Sequence, residues 1–206
     1  MSKSEAPLSS LEDYLPPGSS PFIFDYLRQY KVHLTITKER KSVLGDYRHA
    51  LGEKNHRISV NGNLNKFAFL ITLVHELAHL VTFIQFNNGV LAHGKEWKSI
   101  YRQLLTQFLL HEIFPATIRE ALERSLHNLP ASSCADENLM RILKKFNNKE
   151  SGLLMVEQIP EGAMFEIEGV KIFKKGKQLR KRYQCLEIKT GKLYLFSPIY
   201  EVRPIK

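Results

Sequence analysis

Residues 65–86 read NKFAFLITLVHELAHLVTFIQF. The stretch is helix-compatible throughout and mostly apolar, and at this length that predicts a helix buried in a protein core. Within it lies His75-Glu76-Leu77-Ala78-His79, an HExxH pattern in the helical context that gives the pattern its meaning. At 3.6 residues per turn, positions i and i+4 share one face, so both imidazoles can reach a single ion at about 2.0–2.1 Å. Glu76 then points beside such an ion rather than at it, where a general base for water belongs.

Two histidines do not complete a catalytic zinc site, which uses three protein ligands and keeps a fourth position open. Helix after His79 travels away, Asn87-Asn88-Gly89 turns the chain, and Val90 to His93 can span the return at about 3.3 Å per extended residue. His93 is therefore the preferred third ligand. The plain alternatives are a buried structural pair for His75 and His79 and a simple loop histidine for His93. His111-Glu112 opens a second such pattern, but Pro115 stands where its second histidine would be. A metzincin arrangement fails too, because the ligand six residues beyond His79 would fall at Gln85.

Upstream of the helix, Phe22 to Tyr30 has helical spacing and Val32 to Thr37 alternates as a strand. Arg40 to Ala50 and Arg57 to Val60 complete a small antiparallel sheet before an Asn61-Gly62 turn. Residues 1–20, rich in Ser and Pro, read as a flexible lead-in. Downstream, helices are predicted from Gly94, with Trp97 as a core anchor, from Pro115, and over Leu139 to Phe146. Beyond a boundary near residue 150, Met164 to Phe173 and Arg182 to Phe196 read as hairpins.

The charge is segregated. Of 30 basic and 21 acidic residues in the 206-residue chain, eleven basic and only two acidic ones lie in Lys171 to Lys206. The rest of the chain is balanced, which points to a polyanion-binding appendage on a neutral body. Lys174, Lys175, Lys177, Arg180, Lys181 and Arg182, interleaved with Phe173 and Tyr183, are the candidate nucleic-acid contacts. Two cysteines, Cys134 and Cys185, make neither a disulfide framework nor a cysteine zinc site. No window reaches the roughly 18 apolar residues of a membrane span and no secretory signal opens the chain, so a cytoplasmic location is expected.

HELAHL followed by His93-Gly94-Lys95-Glu96-Trp97 resembles the SprT-like metalloprotease family, whose pattern is HExxH and then HGxxW. Thr37 to Asn61, with Arg40, Leu44, Gly45 and Tyr47, is similar to the family's sheet, and the likeness covers roughly residues 20 to 130. It implies a minimal zincin-like fold; with the boundary and hairpins read above, the expected architecture is α+β, a zincin-like domain with a small antiparallel sheet packed on helices over residues 21–150 and a small basic β module over 155–206. It also implies one Zn²⁺ held by His75, His79 and His93, with Glu76 as the catalytic base. The implied activity is an endopeptidase on DNA-associated or DNA-crosslinked proteins, with protein and DNA as partners. Many relatives end in a four-cysteine zinc ribbon, whereas this chain keeps only Cys185 there, so the module is expected to be metal-free. The competing reading is a DNA-binding protein with a structural zinc and no catalysis.

Overall fold

Asn65 caps the central helix: its side-chain oxygen accepts from the Ala68 amide at 3.0 Å, satisfying one of the unpaired donors at a helix start. The helix, α2 (Lys66–Phe86), ends at Asn87, whose φ of 50° is left-handed and whose amide donates to the Phe83 carbonyl. Nearly every side chain from Ala68 to Thr82 is buried. The structure is a computed structural model that describes residues 8–40, 43–127, 129, 136–147, 152–167 and 169–205. By length and mean hydropathy alone α2 is apolar enough to cross a membrane. Yet 78% of its apolar window is buried inside the fold.

The chain divides into two units, Met1–Asn147 and Asn148–Lys206. In the first, α1 (Ser20–Gln29) leads into a three-stranded sheet of β1 (His33–Thr37), β2 (Gly45–Arg48) and β3 (Arg57–Asn61). Helices α2, α3 (Lys95–Leu110), α4 (Ala116–His127) and α5 (Glu137–Lys144) follow. The order is β1-β3-β2, with β1 parallel and β2 antiparallel to β3. The sheet is thus mixed, not antiparallel as expected. The reason is a crossover between β1 and β2, pinned by Arg40 and Asn61. Arg40 Nε donates to Asn61 Oδ1 at 2.8 Å, and Asn61 Nδ2 donates to the carbonyls of Arg40 and Val43.

Trp97, Ile100, Tyr101, Leu104, Leu105 and Phe108 form the buried stripe of α3, at the spacing that lays one helix along another. The flexible lead-in is corrected over its described part. Leu8–Tyr14 is a 3-10 helix, and Leu11 and Leu15 are buried in the core of this unit, because their apolar surface has α1 and α2 to cover it. Residues 1–7 of that lead-in, and Cys134, lie outside the described residues.

The second unit is a six-stranded antiparallel sheet in the order β4-β9-β5-β6-β7-β8: β4 (Leu154–Met155), β5 (Met164–Ile167), β6 (Lys171–Leu179), β7 (Arg182–Glu187), β8 (Leu193–Phe196) and β9 (Glu201–Pro204). Its core joins Val156, Ile159, Phe165, Phe173, Cys185 and Val202. A register shift between Lys175 and Gln178 breaks the ladder of β6 with β7. Gly176 sits there because a Cβ would come within 2.5 Å of the Gln184 carbonyl oxygen.

Candidate metal centre

One turn of α2 separates His75 from His79, and the two Nε2 atoms lie 3.2 Å apart. His93 arrives from the segment before α3 and brings its Nε2 to 3.4 Å from that of His75. Among the described residues these three form the group of His, Cys, Asp and Glu side chains close enough to share an ion, their ligand atoms all within 4.8 Å of one another. Trp97 holds the arrangement from beneath. It is fully buried, and its ring centroid lies 4.7 Å from that of His75, 5.2 Å from His79 and 4.8 Å from His93.

Burial, with the neighbouring imidazoles second, lowers the pKa of His75 to about 3, and the same causes lower that of His79 to about 4. Burial, then Lys98, lowers that of His93. At neutral pH all three rings are uncharged and their lone pairs are available. Glu76 has the opposite shift: burial first, then Asp46, raises its carboxyl to about 8, and Arg40 acts against both. A dication nearby would pull that carboxyl back down.

Gly45 lets the sheet approach this carboxylate. A Cβ there would lie 2.6 Å from Glu76 Oε1 and 2.8 Å from Thr72 Cγ2. The histidines and Glu76 open into a cleft of about 590 Å³ whose walls include Gly45, Tyr47, His49, Phe83 and Leu91. His49 stacks on Phe83 at 4.7 Å between ring centroids. Tyr47 donates its hydroxyl to His56 Nδ1 at 2.9 Å; that nitrogen must accept, since the Ala50 amide also donates to it.

Residues 19–120 match the model of the SprT-like family. Through this segment the chain belongs to the SprT-like family. SprT-like proteins are in general zinc metallopeptidases, and zinc is the metal typical of them. No curated protein and no solved structure matches the chain. The donor set fits zinc. Tetrahedral bonds of 2.0–2.1 Å place neighbouring nitrogens about 3.3 Å apart, and the two observed spacings from His75 bracket that value. His75 Nδ1 is buried without a partner among the described residues, so packing against Trp97 and Tyr101 orients the ring, not an outer hydrogen bond.

The structure brings together all four residues singled out around HExxH: His75, His79, His93 and Glu76. Reading the sequence did not assign roles to Gly45, Asp46 or His49. Their only signal was the strand-like stretch around Gly45, where an alternating pattern puts Gly45 and Tyr47 on the helix side.

Of the six basic residues singled out in the second unit, Lys174, Lys177, Arg180, Lys181 and Arg182 are exposed, and Arg180 and Lys181 form the tip of the β6–β7 hairpin. Lys175 is not exposed. Its relative exposure is 5%, its ammonium donates to the carbonyls of Ile159 and Glu157, and it lies 4.1 Å from the centroid of the Tyr183 ring. Lys175 is thus removed as a nucleic-acid contact: it shares the inward face of β6 with Phe173, two residues away. Phe173 is likewise buried and offers no stacking face.

Proposed function

We propose that the chain is a zinc-dependent endopeptidase in which His75, His79 and His93 hold the metal and Glu76 is the general base. The observation that carries this is the convergence of three neutral imidazoles, with the His79 and His93 nitrogens 3.2 and 3.4 Å from that of His75 and all three ligand atoms within 4.8 Å, beside a buried carboxyl group that no ligand role requires. A zinc ion held there would supply a Lewis acid for the scissile carbonyl and make water acidic near neutral pH. Glu76 accepts the water proton and passes it to the leaving amine. β2, with one edge bonded to β3 and its residues along the cleft, offers a backbone beside which an extended peptide chain can lie. A purely structural zinc is the weaker reading, because such sites close with four protein donors and the group here has three among the described residues.

The finer proposal is that the substrates are DNA-associated or DNA-crosslinked proteins, with Lys174, Lys177, Arg180, Lys181 and Arg182 touching phosphates. The support is the exposed basic hairpin and its concentration of charge. Both levels meet in one experiment: cleavage of a basic protein by zinc-loaded full chain, with and without single-stranded DNA, while bound zinc is quantified. Glu76→Gln should keep one zinc per chain and lose about 10²–10⁴ in rate, whereas His93→Ala should lose the metal. Zinc-dependent cleavage surviving in Glu76→Gln would refute the base assignment. Cleavage indifferent to DNA would refute only the finer proposal.

A further inference from the structure

The face of the three-stranded sheet opposite α2 is lined with arginines. Strand alternation turns Gly45 and Tyr47 toward the helix and Asp46 and Arg48 the other way. In register with these, β3 presents Arg57 and Ser59, and β1 presents Thr35. With Arg40 from the crossover they line a recess of about 250 Å³.

Two features of this recess lack a structural explanation within the fold. Arg48 and Arg57 stand directly opposite each other across an antiparallel pair, an arrangement of like charges that weakens a sheet. Asp46 is the one acid in the lining, and it is engaged by Arg48 Nε at 2.8 Å. Arg57 Nε is buried and has no hydrogen-bond partner among the described residues, a state that protein donors seldom occupy. Arg40 adds its charge but spends its donors on Asn61 and Ser59. The recess thus carries three guanidinium groups against one carboxylate, a donor without an acceptor, and the Ser59 and Thr35 hydroxyls.

We propose that this recess binds a phosphate group, with Arg57 and Arg48 as its charged donors. A phosphate has enough acceptor oxygens to meet several donors converging from neighbouring strands, and guanidinium groups match its geometry. The source is either free phosphate or a phosphodiester of a nucleic-acid strand. Either would lie one strand's thickness from the metal cleft, because β2 forms a wall of both. The inference does not rest on the peptidase reading.

The test follows the arginine Nε–Hε signals of zinc-loaded full chain by NMR, titrated in parallel with inorganic phosphate and with a thymidine oligonucleotide. The signals of Arg57 and Arg48 should shift saturably, and Arg57→Gln and Arg48→Gln should each raise the dissociation constant about tenfold through loss of a charge-assisted hydrogen bond. Unchanged Trp97 fluorescence in both variants shows the unit still folded. Saturation by the oligonucleotide at the lower concentration assigns the site to a nucleic-acid strand, and saturation by phosphate alone assigns it to the free ion. No saturable shift with either, or shifts that neither substitution weakens, would overturn the proposal.

Discussion

Replacing Glu76 by Gln in the metal-stripped chain tests the electrostatics of the centre without any catalytic assay. The folded carboxyl titrates near 8, above its ordinary value of 4.5. Between those values the folded state holds a proton that the unfolded state has released, so the wild type loses stability as pH rises through this window. From pH 5 to pH 8 the loss attributable to this group is about 3.5 kcal/mol, taking 1.36 kcal/mol per pKa unit and allowing for partial titration at both ends of the window. The amide cannot titrate, so the advantage of Glu76→Gln over wild type should grow by about that amount across the window. The histidines, with lowered pKa values, shift stability the other way, but they are common to both chains and cancel in the difference. Urea unfolding of both proteins at pH 5, 6, 7 and 8, followed by fluorescence of Trp97, the chain's single tryptophan, reads the first unit alone. A difference that stays flat with pH would refute the buried, proton-holding carboxyl. Zinc loading should flatten it by favouring the carboxylate.

Three further outcomes are expected. Gly45→Ala must move β2 or Glu76 by several tenths of an ångström to relieve contacts of 2.6–2.9 Å. It should therefore cut cleavage by about 10-fold or more, since misplacement near 1 Å costs about 10²-fold, while zinc content stays at one per chain; full activity would show that the close approach is unimportant. Lys175→Met should lower the stability of the second unit without changing DNA affinity in a fluorescence-anisotropy titration, whereas Arg180→Ser with Lys181→Ser should weaken DNA and flatten its dependence on salt. Weaker DNA binding by Lys175→Met at unchanged stability would return Lys175 to the contact set.

The central helix was legible because one run of residues carried both signals, apolar content and HExxH. His93 could be inferred from reach alone, since the turn at Asn87 is written in the sequence. The sheet was not. Alternation in Leu34, Ile36, Ile58 and Val60 says which way side chains point, not which strand lies beside which, and the parallel pairing of β1 with β3 depends on a crossover fastened by Arg40 and Asn61. In the second unit β4 spans two residues and β9 ends at Pro204, too little pattern to read as strands. Lys175 was legible in principle. The period of two that puts Phe173 inside puts Lys175 inside as well, but counting charges along the run hides it.

The buried leucines at the chain's beginning bear on how short a working version can be. The residues shared with the family run from 19 to 120, yet the same apolar core that encloses α2 also takes in Leu11 and Leu15 on one side and Leu122, Leu129, Leu139 and Leu143 on the other. Emptying a buried leucine site costs about 2–5 kcal/mol, and a whole domain is stable by only about 5–15 kcal/mol. A chain trimmed to the shared segment would keep every candidate ligand of the centre and lack the means to hold them in place.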